Sequence, residues 1–322
     1  MKKVLAVAAL LGLAGAAQAQ VTIYGLIDMS VGQNEYVGER NAQFHSGGDD
    51  YSSQGNSTTR IGFKGATVVA PGVKANFQLE TAGIGSDGSV GSSGVFGGAN
   101  QAFFNRQAWA GVSGSFGEVR MGRQDSVAFQ TMIGFDFNGA ANAASAQSAS
   151  NSGTYNTGRV ARSLQYISND LGGLKVQAGM QLKGDVVNAE DTFALGLTYT
   201  AGPLAVAYTG ETKRVTGGAQ FNSVAGSYDL GVAKIMLGYA DGGAGAKGTT
   251  FGVTAPIAGV NVGAIFTKNS DANALASELF VNKEIFKGTY AYFDYGNVDK
   301  FPVGAATTSS KNTYALGVIY TF

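Results

Sequence analysis

Residues 73–81, VKANFQLET, alternate between apolar and polar side chains at every position. In a β-strand successive side chains point to opposite faces, so one face of this segment is oily and the other is charged. A soluble protein would bury the oily face. A strand of a closed membrane barrel would instead turn the oily face to lipid and the charged face to water. The segment therefore restricts the chain to two architectures.

The same alternation recurs along the chain in segments of about ten residues, the length that a transmembrane strand requires. It is found at 21–31, 61–64, 174–183 and 193–200, with further strand-like runs at 204–213, 221–229, 232–240, 249–255, 260–268, 274–284, 288–296 and 312–322. Beyond the first twenty residues no apolar run approaches the roughly 18 to 20 residues of a membrane helix. A chain of this kind can span a membrane only as a barrel.

The connections between these segments alternate in length. Short turns, such as 70–72 and 201–203, are followed by long polar stretches rich in glycine, which lie at 33–56, 83–101, 124–158 and 297–311. Tight turns at one end and long loops at the other are typical of outer-membrane barrels. About sixteen strands of roughly 19 residues each, connections included, account for residues 20–322 as one domain.

The first residues, MKKVLAVAALLGLAGAAQAQ, combine a basic start, an apolar run and a small-residue ending. This pattern predicts a secretory signal peptide at 1–19, so we expect the remaining chain to leave the cytoplasm. Cysteine is absent, which excludes disulfides and thiolate metal sites. Leaving Lys2 and Lys3 out of the 22 basic residues gives 20, against 22 acidic ones, so the charge balance does not indicate a nucleic-acid partner.

The composition of the stripes distinguishes the two architectures. The apolar stripes are thin, and small residues interrupt them, with 49 glycines in the chain. A soluble β-sandwich would therefore lack enough apolar side chains to form a core, whereas in a membrane the lipid supplies the missing apolar partner. In the segment 312–322, Tyr314, Tyr320 and Phe322 share one face with Leu316 and Val318, as expected of an aromatic girdle. We predict that the charged face of 73–81 lines the inside.

Several blocks of sequence resemble the general porins of Gram-negative bacteria, of the proteobacterial trimeric type, and they follow the family's order. They are STTRIGFKG, PGVKANFQLET, FFNRQAWAGVSGSFGEVRMGRQ (103–124), SLQYISNDLGGLKVQAGM and the final Phe322. The resemblance implies an all-β fold, a transmembrane antiparallel barrel of about 16 strands whose third long loop folds inward. It also implies a homotrimer embedded in outer-membrane lipid, acting as a passive water-filled channel for small hydrophilic solutes and ions.

The chain departs from the family pattern in two places. The inward loop of many relatives carries a Pro-Glu-Phe-Gly element, whereas residues 128–147 read AFQTMIGFDFNGAANAASAQ, with Asp136 as the candidate for the acid. The basic residues usual near the end of the last strand are replaced by Ile319, Tyr320 and Thr321.

A water-filled pore selects solutes by its width and by the field of charges that line it. Alternation places these charges on polar stripes: Arg60, Lys64, Lys74, Glu80, Lys175 and Lys183. The resemblance adds Arg106 and Arg159 at the constriction, and further candidates are Arg120, Arg123, Arg162 at the rim, and the acids Asp125 and Asp136. Basic residues outnumber acidic ones in this set, so we expect a mild preference for anions. The alternative is that they are ordinary wall charges.

Other notable residues predict no chemistry. Trp109, the single tryptophan, has opposite parity to Arg106 and is expected to face lipid or a neighbouring subunit. His45 precedes Ser46, but no G-x-S-x-G turn is present, so no catalytic site is predicted. The acidic pair at 49–50 does not match a calcium loop, and no cofactor or metal is expected.

Three other functions stay open at this point. A substrate-selective porin would build a binding track from its long loops, and one solute class would then block its conductance saturably. A barrel adhesin or enzyme acting through its surface loops would close its lumen and conduct no ions. A secreted soluble β-sandwich would not require detergent.

Overall fold

The computed structural model describes residues 20–48, 54–88, 90, 102–155, 158–302 and 307–322, so the predicted signal peptide at 1–19 lies outside the described residues. The strands in these ranges form one antiparallel sheet. They are β1 Gln20–Asn34, β2 Gln43–Ser46, β3 Arg60–Ala70, β4 Val73–Ala82, β5 Gln107–Gly114, β6 Gly117–Asp125, β7 Arg159–Ile167, β8 Leu174–Gln181, β9 Thr192–Ala201, β10 Leu204–Glu211, β11 Phe221–Asp229, β12 Lys234–Asp241, β13 Lys247–Ile257, β14 Val260–Asn269, β15 Ala274–Phe286, β16 Thr289–Pro302 and β17 Thr308–Thr321.

The sheet closes on itself through β1. The first half of β1 pairs with β3, where Leu26 lies opposite Arg60, and the second half pairs with β17, where Leu26 lies opposite Thr321. From β3 to β17 each strand pairs with the next one in sequence. The short strand β2 continues the β3 side along the upper part of β1. The result is a closed barrel of sixteen strands, as predicted.

The side chains alternate between an apolar outer face and a polar inner face. On β15, Leu279 is 46% exposed while the adjacent Glu278 is fully buried, and on β16 the same holds for Phe293 at 42% and Asp294. Buried acids beside exposed large apolar residues invert the arrangement of a soluble protein, because lipid covers the outer face. Glu80, within the segment 73–81, is buried on the inner face. The predicted orientation of the charged face is confirmed.

Short turns and longer connections alternate in the described residues, but two of the predicted long loops contain strand. The predicted loop 33–56 contains the short strand β2, and most of the predicted loop 83–101 lies outside the described residues. The stretch 297–311 was expected to be a loop, but β16 continues to Pro302 and β17 starts at Thr308. The side chain of Asn297 bonds Ser310 and Asn312 across these strands. The strands thus extend well beyond their apolar outer stripe, and the prediction of a long loop here is wrong.

The connection 126–158 folds into the barrel. It contains helix α1 (Val127–Met132) and the single turn α2 (Ala146–Ala149), each begun by a serine that accepts a hydrogen bond from a backbone N–H. Helix α1 packs against β8–β10 and α2 against β14–β16. No helix in the described part of the chain is long and apolar enough to cross a membrane.

Small residues of the inner wall make room for this inward loop. A Cβ atom added to Gly196 of β9 would lie 2.1 Å from Oγ1 of Thr131 in α1, a distance that two atoms cannot adopt. Apolar side chains then fill the contact in three buried clusters, of which the smallest joins Ala128 to Phe221 and Ala240. The first is built on Met132, Phe135 and Met236, and the second on Ile265 and Phe280. Among the described residues, the buried apolar clusters inside the barrel therefore lie where the loop docks.

Candidate functional site

Glu80 connects three chain segments: its own strand β4, strand β1 and the residues just before β5. It lies near the end of β4, is 5% exposed, and accepts a hydrogen bond of 2.8 Å from the hydroxyl of Tyr24 on β1. The guanidinium of Arg106 bonds the other carboxylate oxygen at 2.5 Å. Arg106 precedes β5, and its backbone N–H donates to the carbonyl of Glu80 at 3.1 Å. These contacts fix the arginine against the wall.

A second ion pair lies beside the first. Nε of Arg159, at the start of β7, is 3.2 Å from a carboxylate oxygen of Asp125, at the end of β6. The charges of Arg159 and Asp125 interact with those of Arg106 and Glu80, and Arg60 interacts with Arg106, Glu80 and Asp125. We call these five residues, Arg60, Arg106, Arg159, Glu80 and Asp125, the lumen cluster. All five were predicted site residues, and the structure brings them together.

Two basic residues on β3 form no ion pair with any described residue. Arg60 donates to the carbonyl of Thr58 at 3.2 Å and lies 3.4 Å from the hydroxyl of Ser57. The ammonium of Lys64 lies 4.9 Å from the centre of the Tyr24 ring, within the range of a cation–π interaction. Neither charge is therefore neutralised by a direct ion pair with a described carboxylate.

Arg120 on β6 lies between an acid and an aromatic ring. It bonds Glu118 at 2.6 Å, and its guanidinium carbon is 4.4 Å from the centre of the Trp109 ring. Trp109 pairs with Gln78 of β4 and is 7% exposed, so it lies on the inner face. The expectation that Trp109 faces lipid or a neighbour is wrong. Arg106 lies before β5 and outside its alternation, so its position in the sequence does not predict which face Trp109 occupies.

Three other predicted basic residues form no ion pair with the acids of the lumen cluster. Arg123, beside an irregularity of β6, donates to the carbonyl of Asn105 at 2.6 Å. Arg162 is exposed, with a left-handed backbone (φ 53°) that interrupts the alternation of β7. Lys74 is exposed beside the short turn before β4 and lies opposite Ser113. The structure does not bring these three side chains to one place.

Asp136 lies inside the inward loop and not among the arginines. It is 5% exposed and accepts hydrogen bonds from the hydroxyls of Tyr155, at 3.0 Å, and Ser145, at 3.3 Å, and from the N–H of Asn138 at 3.2 Å. Burial raises the pKa of its carboxyl, and burial together with the nearby Asp136 raises that of Tyr155. Asp136 therefore holds the loop's own turn.

Sequence reasoning missed a group of buried acids that receives the loop. The side chain of Asn138 donates to Glu278 at 2.8 Å and to Asp294 at 3.0 Å, and Asn56 donates to Asp294 at 2.9 Å. Asp28 accepts from the N–H of Asn56 at 2.9 Å. Each of the three carboxylates is fully buried. All three lie on polar stripes of predicted strands, which was the available signal.

The remaining polar pairs do not form a reactive site. The Nε2 atom of His45 is 3.5 Å from Glu39, while the hydroxyl of Ser46 donates to the carbonyl of Ile84 at 2.5 Å. His45 and Ser46 are adjacent on β2, so their side chains point to opposite faces. The acidic pair at 49–50 lies outside the described residues. Among the described residues, no three His, Asp or Glu side chains could hold a metal ion.

The chain is similar to known proteins over most of its length. The family model described as Gram-negative porin matches residues 6–322. An outer membrane porin protein of Bordetella pertussis is 32% identical over 297 residues, which cover 80% of this chain and 74% of that protein. Outer membrane porin protein 32 of Delftia acidovorans is 29% identical over 256 residues, with 73% of this chain and 68% of that protein covered.

Solved structures share the fold at lower identity. The anion-selective porin from Comamonas acidovorans superposes with a TM-score of 0.73 at 22% identity, covering 95% of this chain and all of that one. A mutant of Rh. blastica porin gives a TM-score of 0.68 at 15% identity, covering 94% of this chain. With a family match over nearly the whole sequence and a closed sixteen-stranded barrel, the chain belongs to the Gram-negative porin family and is a multi-pass β-barrel protein of the outer membrane.

Proposed function

We propose that the barrel is a passive channel for small hydrophilic solutes and ions, with a mild preference for anions. The supporting observation is the lumen cluster, together with Lys64 and Arg120 on the same inner wall. Charges fixed around a water-filled passage orient polar solutes, and an excess of one sign sets the ion preference.

The excess of positive charge follows from the ion pairs. Three arginines each face one carboxylate, which cancels most of their field at a distance. These pairs are Arg106 with Glu80, Arg159 with Asp125 and Arg120 with Glu118. Arg60 and Lys64 form no ion pair with a carboxylate among the described residues, so they leave an excess of positive charge on this wall.

The acids that could offset this excess are withdrawn from the passage. Glu278 and Asp294 are fully buried behind the inward loop, where they accept hydrogen bonds from side-chain amides. Asp28 is also fully buried and accepts hydrogen bonds from the backbone N–H groups of residues 56 and 57. A permeating ion therefore meets them less directly than it meets Arg60 or Lys64. The anion selectivity named for the Comamonas acidovorans porin of the same fold agrees with this proposal.

The selectivity is tested by the zero-current potential of the purified protein in planar bilayers under a potassium chloride gradient. We expect the sign of an anion-preferring pore, and a shift toward the cation side in Arg60→Gln and in Lys64→Gln. Arg162→Gln, which removes an exposed charge outside the lumen cluster, is the matched control and should change little. The preference should weaken toward 1 M salt, where the Debye length falls to about 3 Å. A cation-preferring wild type would overturn the proposal.

We also propose that three copies associate, which the resemblance to trimeric porins supports. A closed threefold ring is built from heterologous contacts, so the same pair of different surface patches would recur in each of its three interfaces. Native mass spectrometry of the detergent-solubilised protein measures the number of copies directly. A monomer at all protein concentrations would contradict the proposal.

A further inference from the structure

A cavity of about 540 Å³ lies between the inward loop and the loops that join β10 to β11 and β12 to β13. Its lining includes the aromatic residues Phe129 and Tyr155 from the inward loop and Phe221 from β11. Small-molecule sites in proteins usually measure roughly 300–1,000 Å³, so the cavity has a suitable size for a small ligand.

The lining of this cavity differs in chemistry from the lumen cluster beside it. None of the described residues that line it carries a charge. The rings of Phe129 and Tyr155 stand edge to face, with centroids 5.6 Å apart, and the guanidinium of Arg159 lies 5.9 Å from the Phe129 ring. Phe129 therefore separates a charged passage from a neutral recess.

The recess also offers polar groups that can bind a ligand. Asn151 and Gln220 line it with exposed side chains, and neither amide bonds another described side chain or backbone group. The hydroxyl of Ser148, also exposed, lies 3.1 Å from that of Tyr155 and keeps capacity for a further bond. By contrast Gln147 is buried, and its oxygen already accepts two bonds from Thr154. The free amides thus face the cavity and not the protein.

We propose that this recess, formed by Phe129, Tyr155, Phe221, Asn151 and Gln220, is a binding subsite for neutral sugars of one or two rings. An ion gains nothing from an uncharged lining, and a purely apolar solute would leave the amides without partners. A sugar ring presents apolar C–H faces to aromatic rings and hydroxyls to amides. A site built to bond hydroxyls rejects solutes that lack them.

The proposal rests on the proposed channel function, because solutes must enter the lumen to reach the recess. If the proposal holds, a neutral sugar binds transiently beside the lumen cluster instead of diffusing through the channel without binding. The occupied recess lies next to Phe129 and hence next to Arg159, so binding should lower the ion current.

The first experiment measures single-channel current against sucrose concentration, with a polyethylene glycol of equal hydrodynamic radius as the reference solute. We expect sucrose to lower the current saturably and the polymer to lower it linearly. Saturation-transfer NMR of the detergent-solubilised protein with sucrose measures binding without any conductance. A linear effect equal to that of the polymer, with no transfer signal, would overturn the proposal.

Two variants with matched controls locate the site. Gly158 lines the recess, and a Cβ there meets nothing within 4 Å, so Gly158→Leu places a bulky side chain at the wall of the cavity and obstructs it. Gly134→Leu in the same loop also enters open space but lies outside the lining. Asn151 has a left-handed backbone (φ 56°), so Asn151→Gly removes the amide without strain, and Asn188→Gly (φ 63°) repeats the change elsewhere.

We expect Gly158→Leu to abolish the saturable part of the current decrease caused by sucrose. Asn151→Gly should raise the sucrose concentration at half-saturation about two- to tenfold, the range that the loss of one neutral hydrogen bond gives. Both controls should retain wild-type binding. Equal losses in Gly134→Leu would overturn the assignment. If the wild type binds sucrose without conducting, the channel function fails and the subsite stands; if it conducts without saturation, the reverse holds.

Discussion

Asn138 holds the middle of the inward loop to the barrel wall, and its replacement by alanine tests how the loop is fixed. Its side-chain N–H groups donate to Glu278 at 2.8 Å and to Asp294 at 3.0 Å, and its oxygen accepts from Asn56 at 3.1 Å. Alanine removes all three bonds. It leaves two fully buried carboxyl groups without the donor that joined them.

The cost of this change can be bounded from the contacts. A hydrogen bond to a charged group contributes about 1.5–3 kcal/mol, so two of them set an upper limit of about 3–6 kcal/mol. Water from the lumen can enter the vacated space and restore part of the bonding. We therefore expect the docked loop to lose about 2–3 kcal/mol, which raises the undocked fraction roughly 30- to 150-fold.

Single-channel recording of Asn138→Ala should show larger current noise and frequent steps to a higher conductance, because the loop leaves the wall more often. Limited proteolysis should cut the loop faster in the variant. Asn142→Ala is the matched control in the same loop. Asn142 donates to the backbone carbonyl of Gln54 at 3.1 Å and accepts from the hydroxyl of Thr58 at 3.2 Å, so this change removes two neutral bonds of about 0.5–1.5 kcal/mol each and leaves no buried carboxyl without a donor. Noise and cleavage rates equal to those of the wild type in Asn138→Ala would refute the reasoning.

Two further predictions concern Trp109 and Asp136. Because Trp109 lies on the inner face against Arg120, its fluorescence should be insensitive to brominated lipids, and strong quenching by them would place the ring outside. Burial raises the pKa of Asp136 above its value of about 3.9 in the unfolded chain. The protonated carboxyl therefore stabilises the docked loop fully below about pH 3.9, and this stabilisation is lost as the pH rises through the folded pKa. Asp136→Asn should remove this part of the pH dependence of protease resistance, which lies above about pH 3.9, and an unchanged profile would contradict it. The carboxyl of Glu278 and the hydroxyl of Tyr155 also face Asp136.

Alternation alone predicted the barrel and its inside-out orientation, because every strand must present one face to lipid. It failed where the chain leaves the strand pattern. Arg106 reaches the lumen from a loop, which shifted the parity assigned to Trp109. Beyond the membrane the strands β16 and β17 have no lipid to face, so their ends resemble a loop in sequence. Asp136 could not be placed, because loop packing depends on contacts distant in sequence, such as those to Glu278.

The pairing of β1 with β17 has a consequence for how the molecule is made. Gly25 and Phe322 exchange two backbone hydrogen bonds, of 3.0 and 3.1 Å, although nearly all of the described chain separates them. This seam is a contact of extreme sequence separation, and such contacts form slowly. Until it forms, every partly assembled sheet keeps two unpaired edges that invite aggregation. The polypeptide should therefore need a chaperone that prevents aggregation until it inserts into the membrane. Deleting β17 should leave the sheet open, with two unpaired edges that aggregate.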